Sequence, residues 1–534
     1  MIEIPKLKNE KFYFLPFIIA TIFLFGCEQK INEISENPKP NILLIMADDM
    51  GYSDLGCYGS EISTPNIDKL AKEGIRFTQF YNSARCCPTR ASLLTGLYSH
   101  QAGMGTMVTT EPDTVKGAYQ GYINDNCVTL AEVLKTVGYK TYMSGKWHVG
   151  EFESQWPNNR GFDEYYGLVS GAMNYFDIAK SKREGLERVF VKNGKRYTPP
   201  TEGFYSTDAF TEEAIGYLTQ HNSENPFFLY LAYNAPHWPL HAYPEDIKKY
   251  KGRYKDGWAE LRKQRWQKQK ALGIVDESWE LSPQDPEAMN WEDVKDKERM
   301  DLKMAIYAAQ IDRMDANIGR VINKLSEMDQ LDNTLIIFLS DNGACAEEGA
   351  LGFEALGGWD GKLGTKNSYA SYGRSWANAS NTPFRLHKSW VHEGGISTPF
   401  IARFPKMIKP DQVTDQLGHV IDLMSTFVEV SGATYPKSKN GKSIIPLEGK
   451  SLVPVLSNDK SEPHNSIYWE HFGNKAIRKG DWKLVSVANG DWELYNIKKD
   501  RTELNNLIDE QPQIFNDLNK DYQKWAVRVG VKNN

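Results

Sequence analysis

The chain has few cysteines, no excess of basic residues, and no apolar run that comfortably spans a membrane. Six cysteines among 534 residues do not form a disulfide framework, which excludes the small domains held together by such bonds. A formal net charge of −6 argues against a nucleic-acid partner, because phosphate binding requires a basic surface. This charge still allows a local basic pocket for a small anion.

The N-terminus has the features of an export signal. Three lysines precede an apolar run at 12–25, which is short for a membrane span and ends in Leu-Phe-Gly-Cys at Cys27. This ending resembles a bacterial lipoprotein cleavage box and implies a signal at 1–27, acylation of Cys27 and a polar tether at 28–40. The protein would be membrane-anchored in the periplasm or at the outer membrane. A plain secretory signal and an uncleaved anchor are the alternatives.

The rest of the composition, 40% hydrophobic and 25% charged residues, predicts one large domain and a smaller one. Short continuous apolar runs at 41–46, 227–232 and 335–339 are typical of strands buried on both faces of a parallel sheet. Helical patterns lie between them, including one that Thr64 should cap at its N-terminus. We therefore predict an α/β fold whose large, mostly parallel sheet is sandwiched by helices over 41–460.

Two further segments differ in character. Residues 250–293 form an insertion rich in charge and tryptophan, with eight Lys or Arg between Lys251 and Lys270. This pattern favours a solvated amphipathic helix over a binding surface. At 461–534, four short strand candidates and a final helix predict a small antiparallel sheet covered by one helix.

Polar side chains follow several predicted strands, at the edge where α/β sheets bind ligands. They are Asp48 and Asp49, Lys146 and His148, His237, and Asp341 and Asn342. Carboxylate and amide oxygens are hard donors that suit calcium or magnesium better than zinc. One acidic pair alone is usually a helix cap or a turn, but two pairs at comparable strand ends indicate a cation site.

Cys86-Cys87-Pro88-Thr89-Arg90, followed by Ala-Ser-Leu-Leu-Thr-Gly, resembles the signature of the type I sulfatases. The resemblance implies that Cys86 is oxidised to formylglycine by a formylglycine-generating enzyme and that Arg90 is its cationic partner. Cys87 has the wrong spacing and occupies the variable position, where serine is common. The alternative is a pair of small buried thiols before a turn and a helix.

The resemblance extends over nearly all of the mature chain. It implies that Asp48, Asp49, Asp341 and Asn342, together with the modified Cys86, bind Ca²⁺, with Mg²⁺ as the second choice. It also implies that Lys146, His148, His237 and Lys388 line the sulfate site. Segments at 257–262, 381–385 and 492–496 are similar to the bacterial arylsulfatase subgroup.

The family resemblance also implies a mechanism. One hydroxyl of hydrated formylglycine attacks sulfur, and the other later expels sulfate by cleavage of a carbon–oxygen bond, an escape that a serine ester lacks. Asp341 and His148 would deprotonate these two hydroxyls. His237, the better proton donor near neutral pH, and Lys388 would lie near the leaving oxygen. Arg90 and Lys146 would bridge the formylglycine, the metal carboxylates and the sulfate.

The expected substrate is an aryl or carbohydrate sulfate. One alternative is a phosphate or phosphonate ester hydrolase of the same superfamily, which shares the fold and the metal ligands. The other is a lipid-anchored protein that binds sulfated glycans without turnover. The complete set of catalytic groups favours the enzyme.

Overall fold

The computed structural model describes residues 11, 13, 39–109, 115–180, 187–222, 224–354, 361–459 and 462–532. The predicted signal at 1–27, the acylated Cys27 and nearly all of the tether lie outside these ranges. In the described ranges, no helix combines the length and the apolar character needed to cross a bilayer.

Seventeen strands and twelve α-helices are formed within the described residues. The strands are β1 Asn41–Asp48, β2 Ile75–Tyr81, β3 Lys140–Gly145, β4 Glu164–Leu168, β5 Phe190–Lys192, β6 Lys195–Arg196, β7 Phe227–Pro236, β8 Thr334–Ser340, β9 Ser397–Arg403, β10 Gln412–Thr414, β11 Gly418–His419, β12 Ser438–Lys439, β13 Lys442–Ser443, β14 Ile467–His471, β15 Asn474–Lys479, β16 Trp482–Ser486 and β17 Trp492–Asn496. The helices are α1 Pro65–Lys72, α2 Cys86–Thr95, α3 Leu130–Lys135, α4 Ser206–Gln220, α5 Pro244–Tyr250, α6 Gly257–Ala271, α7 Lys297–Glu327, α8 Gly373–Ser380, α9 Glu393–Ile396, α10 Asp422–Ser431, α11 Val453–Leu456 and α12 Pro512–Val529.

The large sheet has the strand order β10-β2-β9-β8-β1-β7-β3-β4-β5-β6, with β11 beside β2. Its centre is parallel: β1 pairs with β7 and β8, and β3 pairs with β7 and β4, all in the same direction. β9 runs antiparallel to both β8 and β2. The predicted mostly parallel sheet is confirmed.

Alternate side chains of β1 point into two separate apolar layers, as the two-residue period of a strand requires. Leu43 and Ile45 pack in the layer that contains α1, α4 and α7. Leu44 and Met46 pack in the layer that contains α2, α3 and α10. Every residue of β1 is buried, since helices cover both faces of the sheet. The predicted sandwich of helices around the sheet is therefore confirmed.

The N-terminus of α1 lies where the sequence predicts it, but its expected cap is wrong. The Thr64 hydroxyl donates to Asp68 Oδ1 (3.0 Å) and accepts from Gly56 N (2.9 Å), so it accepts no hydrogen bond from a backbone amide of the first turn. Asp315 of α7 does so instead, accepting from Ile67 N at 2.8 Å. A carboxylate from a distant helix has replaced the local cap.

The solvated helix expected in the insertion at 250–293 is only half correct. α6 is basic, but one of its faces is buried: Trp258 is fully buried, and the Arg265 side chain is 1% exposed. Arg265 pairs with Asp54 at 2.6 Å and with Glu61 at 2.9 Å. The charge run therefore contains a structural ion pair that composition alone cannot separate from surface charge.

The C-terminal sheet has the order β14-β15-β16-β17, is antiparallel throughout, and is covered by α12, as predicted. A fully buried ion cluster joins it to the start of α9. Glu393 accepts from Lys483 (2.9 Å) and Arg501 (3.0 Å), and Lys483 also contacts Glu503 (2.8 Å). Burial alone would raise the pKa of Glu393, but Lys483 and Arg501 outweigh it and lower that pKa.

We expect Glu393→Gln to lower the free energy of unfolding by about 3–5 kcal/mol, because it leaves buried cations without their counter-charge. The midpoint of chemical denaturation and the Tm would report the loss. Lys479→Gln is the matched control, since its pair with Asp521 is solvent-exposed and such pairs contribute about 0.2–1 kcal/mol. Equal midpoints for the two variants would contradict the assignment of Glu393.

Candidate functional site

All the predicted site residues lie at one edge of the large sheet. The carboxyl ends of β1, β3, β7 and β8 meet there because these strands are parallel, and β9 begins there because it runs in the opposite direction. Each residue is placed by the end of a strand or by a helix: Asp48 ends β1 and Asp49 follows it, Asp341 and Asn342 follow β8, Lys146 and His148 follow β3, His237 follows β7, Lys388 precedes β9, and Cys86 and Arg90 lie on α2.

The buried carboxylates are paired with buried cations. Lys146 Nζ lies 2.5 Å from Asp48 Oδ2, and the guanidinium of Arg90 donates twice to Asp341 Oδ2, at 3.0 and 2.7 Å. All four side chains are fully buried. Burial raises the pKa values of Asp48 and Asp341, and the neighbouring cations oppose that shift. The cations reduce this shift without cancelling it, so the pairing lowers the cost of holding these carboxylates charged in a dry environment.

Two oxygen acceptors in this cluster are unsatisfied. Within the described parts of the chain, Asp48 Oδ1 and Asn342 Oδ1 are buried and have no hydrogen-bond partner. Asn342 Nδ2 donates to Asp49 Oδ1 at 2.7 Å, which ties the loop after β8 to the loop after β1. Buried orphan acceptors are rare and costly. Hard oxygen donors left unsatisfied between two loops are the environment that a calcium-sized cation prefers.

Charge balance agrees with a cation at this position. Three carboxylates, Asp48, Asp49 and Asp341, are matched by three cationic side chains that contact them, Arg90, Lys146 and Lys388. The protein groups are therefore neutral as a set, so a divalent cation would leave the site positive. A positive, buried site attracts an anionic ester.

Cys86 begins α2 and is 2% exposed. A hydrogen bond with Cys87 and the nearby His148 and Lys146 lower the pKa of the Cys86 thiol, although burial opposes them. Burial instead raises the pKa of Cys87. Ligand atoms of Cys86, Cys87 and His148 lie within 4.8 Å of one another. The two adjacent cysteines are therefore chemically distinct, and Cys86 is the more acidic one.

His148 is held in a strained backbone conformation with φ of +56°, which is rare for a residue other than glycine. Its amide donates to Val169 O at 3.0 Å. Burial lowers the pKa of His148 to about 4, so its imidazole is neutral near pH 7 and can accept a proton. The ring lies directly against Gly171, where an added Cβ would be 2.4 Å from His148 Nε2.

We expect Gly171→Ala to lower kcat by about a hundredfold, because displacement of a catalytic group by even 1 Å can cost that much. Gly171 has no left-handed φ, so the backbone tolerates alanine. Gly216→Ala in α4 is the control: its Cβ meets nothing within 4 Å, and it should stabilise the helix by about 0.5–1 kcal/mol. Full activity in Gly171→Ala would show that the position of His148 does not matter.

His237 and Lys388 form a second pair above Asp49. His237 Nδ1 lies 2.6 Å from Trp238 O, so this nitrogen carries the proton, and Nε2 faces Lys388 Nζ at 3.4 Å. Burial lowers the pKa of His237 to about 3. Burial also opposes the charge on Lys388, but Asp49 at 2.8 Å outweighs it and raises the pKa of Lys388. These contacts favour a charged Lys388 and a neutral His237, whose Nε2 also lies 3.3 Å from Asp49 Oδ2.

Sequence reasoning missed the residues that support the loop after β1. Asp54 Oδ2 accepts from Gly51 N at 2.9 Å and from Tyr307 OH at 2.8 Å, while its Oδ1 accepts from Arg265. Cys345 was missed as well, although its sulfur lies 3.9 Å from Lys388 Nζ. Asp54 follows Asp48 and Asp49 so closely that it could have been proposed. Arg265 and Cys345 carry no local signal.

A mostly parallel sheet with buried carboxylates, orphan oxygen ligands and cations at its carboxyl edge is typical of a metal-assisted hydrolase acting on anionic esters. The family model described as Sulfatase matches residues 40–433. A second model, described as N-sulphoglucosamine sulphohydrolase, C-terminal, matches residues 384–527. The chain belongs to the sulfatase family and is a sulfuric ester hydrolase.

Similar proteins support this membership. An uncharacterized sulfatase of Schizosaccharomyces pombe is 39% identical over 485 residues, covering 85% of this chain and 87% of that protein. An arylsulfatase of Klebsiella aerogenes is 35% identical, covering 79% and 93%. The crystal structure of Ps i-CgsB in complex with k-i-k-neocarrahexaose has a TM-score of 0.68 and 28% identity, covering 91% and 93%.

Proposed function

We propose that this sulfatase acts on aryl or carbohydrate sulfates through a formylglycine made from Cys86, with a calcium ion beside it. The observation that carries the proposal is the position of Cys86, buried at the start of α2, next to His148 and at the edge of the carboxylate–cation cluster. The carbohydrate option is supported by the similarity to Ps i-CgsB, crystallised with a neocarrahexaose, and to a human N-acetylgalactosamine-6-sulfatase, 28% identical.

Oxidation of Cys86 by a formylglycine-generating enzyme would supply an aldehyde whose hydrate offers two hydroxyls on one carbon. The residues around this hydrate would have different roles. Arg90 and Lys146 hold positive charge between the modified residue and the sulfate. Asp341 accepts the proton of the attacking hydroxyl. Neutral His148, adjacent to Cys86, accepts the proton of the second hydroxyl.

Asp48, Asp49, Asp341, Asn342 and the modified Cys86 would hold the cation. All these ligands are oxygens, which favours Ca²⁺, with Mg²⁺ as the alternative, over zinc. A bound dication would neutralise sulfate charge and lower the pKa of a coordinated hydroxyl. The two orphan acceptors, Asp48 Oδ1 and Asn342 Oδ1, are the structural support for this assignment.

Departure of the alcohol requires a proton, and the contact of Lys388 with Asp49 at 2.8 Å supports a charged ammonium at that position. We therefore propose Lys388 as the donor to the leaving oxygen. His237 accepts from Lys388 through Nε2 and keeps its ammonium aimed into the site. This proposal differs from the expectation from sequence, in which His237 was the better proton donor to the leaving oxygen.

We further propose that the protein is exported and anchored by lipid at Cys27, in the periplasm or at the outer membrane. The support is the sequence alone: the short apolar run at 12–25 and the cysteine that ends it. The anchor would keep the catalytic body, which contains the sulfate site, at the membrane surface without a spanning helix.

The deciding experiment uses enzyme shown by peptide mass spectrometry to carry formylglycine at residue 86. We expect sulfate release from a panel of aryl sulfates and sulfated monosaccharides, and little turnover of phosphate monoesters. Cys86→Ala should lower kcat by at least about 10³-fold, as loss of a nucleophile does. Cys87→Ala, the adjacent control, should keep most of the activity. Full activity with unmodified Cys86, or a preference for phosphate esters, would refute the proposal.

For the metal, we expect about one calcium ion per chain by elemental analysis and loss of activity after exhaustive chelation, restored by added Ca²⁺. Asp341→Ala should remove both the bound ion and the activity, because the cation and the nucleophile lose a shared ligand. Asp411→Ala is the control, since that carboxylate is 70% exposed and pairs only with Arg76 among the described residues. Activity that survives verified metal removal would overturn the assignment.

A further inference from the structure

The hairpin between β14 and β15 carries part of the C-terminal sheet to the catalytic edge. Its turn consists of Phe472 and Gly473. The next residue, Asn474, donates from Nδ2 to Ser389 O at 3.1 Å, and Ser389 follows Lys388. On the other side, the guanidinium of Arg85, which precedes Cys86, lies 5.6 Å from the centre of the Phe472 ring. The hairpin therefore contacts Ser389 and Arg85, the sequence neighbours of Lys388 and Cys86.

Phe472 is an unusual residue for this turn. It has φ of +52°, Gly473 has φ of +85°, and two-residue turns with both φ values positive strongly prefer Asn, Asp or Gly at the first position. A bulky residue in the left-handed region is a conformational outlier. Phe472 is nevertheless 49% exposed. Burial of its ring therefore offsets little of the free-energy cost of the strained backbone. This combination points to a contact made outside the folded chain.

A continuous strip leads from Phe472 to the residue after His237. Arg85 donates to Ser389 Oγ at 2.9 Å and to Glu347 Oε1 at 3.4 Å. Glu347 Oε2 in turn accepts from Trp238 Nε1 at 3.1 Å. The Arg85 and Glu347 side chains are 22% and 32% exposed, so both can reach a ligand. We call Phe472, Arg85, Glu347 and Trp238 the mouth strip.

We propose that the mouth strip is the subsite for the ring that bears the sulfate, with Phe472 as the residue that determines specificity for that ring. The inference rests on the proposed function, which places the sulfate beside Cys86 and the leaving oxygen beside Lys388 and His237. Arg85 precedes Cys86 and Trp238 follows His237, and Glu347 contacts both of these strip residues. Aromatic faces pack well on flat apolar faces of arenes and sugars, and the Arg85–Glu347 pair offers donors and acceptors to ring hydroxyls.

The test is Phe472→Asn, which suits the turn better than the native residue. Relative to wild type, we expect KM for aryl sulfates and sulfated monosaccharides to rise about tenfold. A tenfold rise corresponds to about 1.4 kcal/mol, which is the size of one lost aromatic contact. The inhibition constant of inorganic sulfate, which has no ring, should stay unchanged. The Tm should be unchanged or higher, because Asn adopts positive φ readily. Val527→Ala, an exposed apolar residue on α12, is the control and should alter none of the three quantities.

A second variant tests the polar Arg85–Glu347 pair separately from the aromatic Phe472. Glu347→Gln should raise KM for sulfated monosaccharides more than for simple aryl sulfates, which lack hydroxyls for the Arg85–Glu347 pair. Unchanged KM values in Phe472→Asn, or a parallel rise in the sulfate inhibition constant, would overturn the subsite while leaving the proposed function intact. Failure of the wild-type enzyme to release sulfate from any ring-bearing ester would overturn both.

Discussion

The pairing of Arg90 with Asp341 is the interaction on which the catalytic edge depends. Burial would lower the pKa of the Arg90 guanidinium, but Asp341 and other nearby groups outweigh it and raise that pKa further, so the charge is permanent. Two donors of its planar fork engage the carboxylate after β8, and a third bonds Lys146 O at 2.9 Å. Arg90 lies four residues after Cys86, on the same face of α2. The ion pair therefore orients the helix that carries the predicted nucleophile.

The same principle explains how the C-terminal sheet is joined to the catalytic sheet. Glu393 lies between Lys388 and β9, and its carboxylate is held by Lys483 of β16 and by Arg501. A buried ion cluster of this kind favours one relative position of the two segments that it joins, because any displacement would leave a buried ion uncompensated. The cluster therefore fixes both the loop of Lys388 and the sheet that carries the Phe472 turn. The proposed subsite depends on this connection between the two sheets.

Local patterns predicted the elements whose determinants are local. The buried strands β1, β7 and β8, and the polar residues at their ends, follow from apolar runs that stop abruptly at polar residues. The burial of Arg265, the capping of α1 by Asp315 and the contact of Phe472 with Arg85 depend on partners more than 200 residues away. Periodicity carries no information about such contacts. For this reason the expected solvated helix was only half correct, and the Thr64 side-chain cap was wrong.

The proton arrangement at His237 shows why residue type alone underdetermines a catalytic role. Histidine is the usual donor near neutral pH, and that preference favoured His237 over Lys388. In the folded chain, however, the Trp238 carbonyl fixes the Nδ1 proton, and burial keeps the ring neutral. Asp49 meanwhile keeps the Lys388 ammonium charged. A neutral imidazole with its proton on Nδ1 can only accept at Nε2, and that atom lies 3.3 Å from Asp49 Oδ2 and 3.4 Å from Lys388 Nζ. This geometry is the basis for proposing Lys388, rather than His237, as the proton donor.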